Sequence, residues 1–239
     1  MNPTITRLAT QSLLGRRRFW LLLVIPLVLV ALAVTIRVLT EQGTGYDGIV
    51  SGIGLTLVVP LLTLLATTSV LGPEIDDGSI VYLLAKPVNR YAVGVSKYVV
   101  ALLASWLFSC VPLLLAGLVI DRSAAGVSLA WMVGSMVAAA CYSALFLALA
   151  SFTRHAVVIG LLFVFLWEGL LGSLLTGIKW VSIGAWGRSV TDAVSDRASV
   201  SVAESTGLVY AVIATVIVVG AGLWFTGDRL RSFSMRGET

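Results

Sequence analysis

Apolar residues along the chain are gathered into six long blocks that short polar segments separate. The blocks are continuously apolar, whereas a strand of a membrane β-barrel alternates apolar and polar positions over about ten residues. A helix needs about 20 apolar residues to cross a hydrocarbon core of roughly 30 Å. The pattern therefore predicts one all-α transmembrane domain with six spans: Phe19–Val38, Ile49–Leu71, Tyr98–Ile120, Val127–Phe152, Ala156–Leu175 and Leu208–Thr226.

The composition agrees with a membrane environment. Of the 239 residues, 58% are hydrophobic and only 12% are charged, which is about half the charged fraction of a typical soluble domain. The net charge is +4, but no basic run is interleaved with aromatic residues, so membrane lipid and not nucleic acid is the expected partner. Cys110 and Cys141 fall inside apolar blocks, where free thiols that behave as small hydrophobes are expected.

Lysine and arginine are unequally divided between the two sides that six spans would create. One side, which includes both termini, carries 11 of these residues and the other side carries 5. Loops rich in lysine and arginine stay in the cytoplasm. The distribution therefore predicts a bacterial or archaeal cytoplasmic membrane protein with both termini in the cytoplasm.

Two segments outside the spans have a recognisable pattern. Asn2 and Pro3 suit a helix start, and the apolar residues after them recur on one face, so residues 1–18 are predicted to form an amphipathic helix on the cytoplasmic leaflet. The extracytoplasmic connection, residues 176–207, contains Trp180 and Trp186. Tryptophan favours the membrane interface, so short helices that rest at or dip into the outer interface are expected there.

The cytoplasmic connection between the second and third spans, residues 72–97, has the richest pattern. Pro73 suits a first helical position, and three acidic residues that follow it would complement the positive end of a helix dipole. Pro87 ends the next apolar run, and Asn89 can cap a helix that continues through Lys97 into the third span. The segment predicts a short helix, a break and a second helix. The acidic residues are Glu74, Asp76 and Asp77.

This connection resembles the permease subunits of ABC transporters of the type-2 exporter class. The shared pattern is a glutamate, a Gly-Ser or Gly-Thr pair, an apolar run, a proline, an arginine and a lysine. The resemblance extends to the six spans, the amphipathic N-terminal helix and the long connection before the last span, so it covers essentially the whole chain. The matching residues here are Glu74, Gly78, Ser79, Ile80–Leu84, Pro87, Arg90 and Lys97.

The resemblance implies a half-transporter that works as an exporter. Two permease copies would pair around a pathway, and two cytoplasmic ATPase subunits would clasp the Glu74–Arg90 segment as a coupling element. It leaves open a homodimer or a heterodimer of permeases, an accessory extracytoplasmic protein and the substrate. The sequence itself has no G-x-x-x-x-G-K-[ST] loop. No catalytic residue and no bound cofactor are therefore expected here, and ATP and magnesium belong to the partner subunit.

Glu168 is the remaining candidate, because it lies 12 residues into the fifth predicted span. A carboxylate at that depth costs roughly 2.5–3.5 kcal/mol on insertion scales, so it should face protein or water. A structural hydrogen-bonding role and a role in the pathway are both open. Two other functions remain as alternatives, a proton-coupled carrier centred on Glu168 and a membrane enzyme acting on lipids. His155 is the only histidine, so no histidine cluster for metal binding is predicted.

Overall fold

The computed structural model describes residues 16–40, 45–76, 90–153, 155–172, 176–195 and 206–235. Within these residues the chain is helical and has no strand, so the predicted all-α class is confirmed there. Several helices change between α- and π-helical geometry without interruption. The helices are α1 (Arg16–Leu39), α2 (Gly48–Val58 and Val59–Asp76), α3 (Arg90–Ser105, Trp106–Cys110 and Val111–Ile120), α4 (Ala125–Phe152), α5 (Ala156–Leu162 and Phe163–Leu171), α6 (Ile183–Val194) and α7 (Leu208–Met235).

Five of the six predicted spans are helices long and apolar enough to cross a membrane. The exception is the fifth predicted span, Ala156–Leu175, which corresponds to α5; its apolar helix Ala156–Leu171 is shorter and extends about 24 Å at the usual helical rise. The described residues therefore contain five helices able to span a membrane, as expected of a multi-pass membrane protein. The five are Trp20–Leu39, Gly48–Leu71, Tyr91–Ile120, Arg122–Phe152 and Leu208–Leu230.

The expectation that Pro73 begins a separate helix is wrong. Helix α2 continues without a break through Gly72 and Pro73 to Asp76. A proline inside a helix removes one backbone hydrogen bond, but the preceding turn is anchored because Val70 and Leu71 are completely buried. Glu74 and Asp76 consequently lie in the last turn of α2 and not in the first turn of a separate helix.

Helix α4 forms the centre of the bundle. Sixteen of its 28 residues are buried, and it packs most extensively against α6, α7 and α2. Helix α7 lies at the periphery, because only 11% of its apolar stretch is buried, compared with 61% for the spanning part of α2. The small residue Gly222 of α7 faces the Ala144 carbonyl of α4, and a Cβ at Gly222 would lie 2.8 Å from that oxygen.

One end of the bundle is fastened by side chains that reach between helix ends. Arg37 Nη1, on α1, donates to the Ile120 carbonyl at the end of α3, 3.1 Å away. The Tyr46 hydroxyl, just before α2, hydrogen-bonds the Ser128 hydroxyl of α4 at 2.8 Å. We call this the Arg37 end. The opposite end, where α2 finishes and α3 starts, we call the Lys97 end.

Candidate functional site

Lys97 lies inside the bundle near the start of α3. It is 1% exposed, and its Nζ donates to the Val70 carbonyl of α2 at 3.1 Å. A lysine is rarely buried so completely unless its ammonium has partners, and a cation near the last turns of a helix interacts favourably with the helix dipole. Lys97 therefore links the last turns of α2 to the first turns of α3, on both sides of the connection between them.

A separate apolar cluster surrounds this link, and we call it the junction cluster. Five helices contribute to it, so a displacement at the end of α2 or the start of α3 would be felt by α4, α5 and α7 through direct packing. Its buried members are Leu71, Val93, Tyr98, Ala144, Leu147, Ala150, Ala156 and Leu230. The Tyr98 hydroxyl, at the edge of the cluster, also donates to the Ala140 carbonyl of α4 at 3.2 Å.

Helix α3 is also held closely against α7 at the Lys97 end. The ring of Tyr91 lies over Gly227, so that a Cβ at Gly227 would overlap the ring. One turn further on, a Cβ at Gly94 would lie 3.6 Å from the Thr226 methyl group. The first turns of α3 thus contact α2, α4 and α7, which makes this part of α3 a rigid extension of the bundle.

The structure places the predicted coupling residues as follows. Arg90 is the first residue of α3, which then runs unbroken through Lys97 into the span, as predicted. Glu74 and Asp76 lie in the last turn of α2. The remainder of the predicted element, Asp77, Gly78, Ser79 and Pro87, lies outside the described residues. Residues 1–15 of the amphipathic helix predicted over residues 1–18 also lie outside them, and Arg16 is the first residue of α1. Since Lys97 is buried, any part it has in coupling is internal to the bundle and not a contact with a partner protein.

Glu168 forms the second polar site, at the start of α6. It is 6% exposed, and both carboxylate oxygens accept hydrogen bonds. Oε2 accepts from the Ser182 hydroxyl at 2.6 Å, and Oε1 accepts from the backbone N–H groups of Ile183 at 2.8 Å and Gly184 at 3.4 Å. The first N–H groups of a helix have no partner within the helix. Glu168, on α5, therefore caps α6 from outside the helix.

The positions of residues along α5 and α4 indicate how far Glu168 lies from the ends of these helices. Glu168 is 12 residues beyond Ala156, the first residue of α5, or about 18 Å along a helix. Tyr142, which is completely buried and interacts electrostatically with Glu168, is ten residues before Phe152, the last residue of α4, or about 15 Å. The carboxylate therefore lies about 15–18 Å along the bundle from the ends of α4 and α5 at the Lys97 end, a distance of at least half the roughly 30 Å thickness of a hydrocarbon core.

Close backbone contact then holds α6 along α4. A Cβ at Gly134 of α4 would overlap the Thr191 hydroxyl and the Gly187 carbonyl oxygen of α6. A Cβ at Gly187 would in turn lie 3.1 Å from the Ala138 Cβ. Small residues allow helices in membranes to approach in this way. A short helix, α6, is thus present in the connection where short helices are predicted, and it packs along α4.

The chain between α5 and α7 forms further hydrogen bonds. The Trp180 carbonyl accepts from the Trp186 indole at 3.1 Å and from the Tyr210 hydroxyl of α7 at 2.7 Å. Ser189 Oγ accepts from the Thr206 N–H at 2.7 Å. These bonds connect α6 to the start of α7. Helix α6 is consequently fixed to α4, α5 and α7 together.

Sequence reasoning found Glu168 but missed its partners. Ser182 is the N-cap of α6, because its hydroxyl accepts from the Ala185 N–H at 3.1 Å, and a serine before a helix start is a readable signal. Nothing in the sequence pairs that cap with a carboxylate 14 residues earlier. Also missed were Tyr142, which interacts electrostatically with Glu168, and Arg188, whose Nη1 would lie 3.7 Å from a Cβ added at Gly184. Across the described part of the chain, no group of three or more His, Cys, Asp or Glu residues could hold a metal ion.

Comparison with known families identifies the class of protein. A sequence model described as "ABC-2 family transporter protein" matches residues 14–178. The chain belongs to the ABC-2 transporter family. The matched region of this permease includes both Lys97 and Glu168 and ends just before α6. No curated protein matched the chain. Family membership makes the protein a membrane permease subunit of an ABC transporter, a transport component that works with an ATP-binding cassette ATPase.

Proposed function

We propose that this permease is the membrane half of an ATP-driven exporter in the cytoplasmic membrane. Two copies form the translocation pathway, and two cytoplasmic ATPase subunits bind the Glu74–Arg90 segment and drive it. The observation that carries the proposal is the construction of the Lys97 end, together with the family match over residues 14–178. ATP and magnesium act in the partner subunits.

The Lys97 end is suited to receive a mechanical input. The connecting segment leaves the bundle at Asp76 and returns at Arg90. The helices on its two sides are linked by the Lys97–Val70 hydrogen bond and packed in the junction cluster. A force on the segment would move α2 and α3 as a unit, because packed interiors transmit displacement and do not absorb it.

The proposed topology has six spans, with α5 as the fifth. Helix α5 is apolar but short, and the chain after it continues into α6, which starts at the depth of Glu168. Together, α5 and α6 would cover the remaining membrane thickness. An even number of spans puts both termini on the side with 11 lysine and arginine residues, which is cytoplasmic by the positive-inside rule.

Two copies are proposed because helices α1 and α7 leave apolar surface uncovered. Only 22% of the apolar stretch of α1 and 11% of that of α7 are buried. The exposed side chains include Trp20 and Val216, at 63% and 66%, which contact lipid or a second permease. A homodimer is the simplest assembly, and the amphipathic segment 1–18 would rest beside it on the cytoplasmic leaflet.

The docking experiment uses charge reversal. The permease is co-expressed with an ATP-binding cassette ATPase encoded beside it, and a double variant, Glu74→Lys with Asp77→Lys, is purified through a tag on the permease. Reversing two charges at the docking surface should reduce ATPase retention at least about tenfold, with the loss dependent on ionic strength. The matched control is Asp192→Lys, an exposed acid on α6. Retention by the double variant equal to that of the control would contradict the proposed docking element.

The topology is tested by cysteine labelling in intact cells. Cys110 and Cys141 are buried, so the background reaction should be low. A membrane-impermeant maleimide should not label Ser79→Cys but should label Asp192→Cys, since Asp192 is an exposed acidic residue in the extracytoplasmic connection. Labelling of Ser79→Cys in intact cells would overturn the assignment of sides.

A further inference from the structure

Both oxygens of the Glu168 carboxylate act as hydrogen-bond acceptors. Two of the three donors are backbone N–H groups, of Ile183 and Gly184, and these can only donate. The third donor is the Ser182 hydroxyl, whose oxygen already accepts from the Ala185 N–H. Glu168 is the acceptor in all three bonds, so a proton on Oε2 would require the Ser182 hydroxyl or the neighbouring Tyr142 hydroxyl to turn and accept it.

There is little free space around the Glu168 carboxylate. A Cβ at Gly184 would lie 3.1 Å from Glu168 Oε2 and 3.7 Å from Arg188 Nη1, so glycine leaves just enough space for these two groups. The carboxylate lies on the π-helical stretch of α5, Phe163–Leu171, and such stretches often occur at functional sites. Glu168 thus lies where α4, α5 and α6 meet, in contact with the first turn of α6.

We propose that Glu168 is a positioning residue. Its carboxylate holds the start of α6 near the middle of the membrane, and it carries neither a proton nor an ion in the transport cycle. The part of the proposal that concerns transport rests on the proposed function, whereas the position of α6 can be measured on the permease alone. Failure of ATPase docking would leave the measurement on α6 unaffected.

The first experiment reports where α6 lies. Ala185 is completely buried, so Ala185→Cys in a Cys141→Ala background introduces a protected reporter thiol. Cys110 on α3 is also completely buried and remains as an internal control for the fold. Full-length protein in native membranes is treated with N-ethylmaleimide, and labelling of each thiol is followed by mass spectrometry. Ser105→Ala is the matched control, because it removes a buried hydroxyl bonded only within its own helix.

Glu168→Ala should increase the labelling rate of the reporter thiol by on the order of tenfold, because three donors at the start of α6 lose their acceptor. Glu168→Gln should stay within about twofold of the parent, because its side-chain oxygen can still accept from Ile183 and its amide can donate to Ser182. Ser105→Ala should match the parent. A reporter that stays protected in Glu168→Ala, or that is labelled equally fast in Glu168→Gln and Glu168→Ala, would overturn the proposal.

A milder variant is used if Glu168→Ala disturbs the whole fold, which labelling of Cys110 would reveal. In that case Gly184→Ala is measured in place of Glu168→Ala, since the added Cβ crowds the carboxylate without removing it. This variant should raise reporter labelling about threefold while Cys110 stays protected. A reporter as protected as in the parent would contradict the role assigned to Glu168.

The second experiment tests the proton directly. Proteoliposomes containing the permease receive a potassium diffusion potential, and proton entry is followed with a pH-sensitive dye. The parent and Glu168→Gln should give the same slow leak as empty liposomes. A proton flux in the parent that Glu168→Gln abolishes would show that Glu168 carries protons, since glutamine cannot, and would overturn the proposal.

Discussion

Lys97 and Glu168 are two buried residues of opposite charge, and each forms hydrogen bonds to the end of another helix. Lys97 donates to a backbone carbonyl near the end of α2, whereas Glu168 accepts from backbone N–H groups at the start of α6. Each charge is thus placed against the helix end whose dipole it complements. In both cases a side chain on one helix holds the end of another.

The two sites differ in what they hold together. Lys97 joins the two helices that flank residues 77–89, part of the segment proposed to bind the ATPase. Glu168 holds the start of a short helix that also makes close backbone contact with α4 at Gly134. We therefore propose a division of roles, in which the Lys97 end receives motion and the α6 region keeps a fixed shape.

The largest effect is expected at the contact between α4 and α6. Gly134→Ala places a Cβ against the Thr191 hydroxyl and the Gly187 carbonyl, and backbone cannot yield as a flexible side chain can. We expect a loss of about 2–3 kcal/mol in the free energy of unfolding in mixed micelles. Gly126→Ala on the same helix is the control, because nothing lies within 4 Å of its added Cβ. Equal free energies of unfolding for the two variants would show that the close contact between α4 and α6 does not contribute to stability.

The second-largest effect is expected for Lys97→Met, which tests whether the Lys97 end takes part in coupling. Methionine keeps the apolar stem but removes the donor to the Val70 carbonyl. The expected loss of stability is about 1.5 kcal/mol, as for a hydrogen bond to a charged group. The ATPase should still bind, but its hydrolysis should respond less to the permease. Unchanged coupling with the predicted loss of stability would make Lys97 purely structural.

A smaller effect is expected where Tyr91 lies over Gly227. Gly227→Ala should destabilise the protein by about 1 kcal/mol, because the ring must move aside. Gly220→Ala, on the same helix with open space around its added Cβ, should be neutral or slightly stabilising, since alanine favours a helix. Thermal unfolding of the two purified variants measures the difference, and an identical midpoint would show that α3 and α7 can separate freely at the Lys97 end.

The smallest effect is expected at the Arg37 end. Burial raises the pKa of the Tyr46 hydroxyl, and its hydrogen bond to Ser128 opposes the rise only in part. Because the pKa is higher in the folded state, the stabilisation is complete below the unfolded-state pKa and is lost as pH rises through the folded-state pKa. Tyr46→Phe should cost about 0.5 kcal/mol at neutral pH and should flatten the alkaline part of the stability profile. A profile unchanged by the substitution would contradict this.

The sequence was sufficient to predict five long apolar helices able to span a membrane, because each is a continuous apolar block of about 20 residues or more. It was also sufficient for the start of α3 at Arg90, where a proline, a capping residue and a basic residue coincide. It failed at Pro73, because the pattern shows that proline can start a helix but not that burial of Val70 and Leu71 carries α2 through it. Tertiary packing overrode a local signal.

The partners of Glu168 could not be predicted for a different reason. Its depth follows from counting residues along a helix, but Ser182 and Tyr142 come from two other segments that only the folded chain brings together. The close approach at Gly134 and Gly187 is equally invisible, since many of the 23 glycines lie in similar apolar surroundings. Small residues indicate that helices pack closely without saying which ones do.

Native mass spectrometry of the complex tests the central claim most directly. The permease, 25.3 kDa per chain, is purified in mild detergent together with the ATPase encoded beside it. The account predicts a particle with two permease copies and two ATPase subunits, from which Glu74→Lys with Asp77→Lys removes the ATPase but leaves the permease pair. A permease that purifies without any ATPase, or a particle with a single membrane subunit, would contradict it.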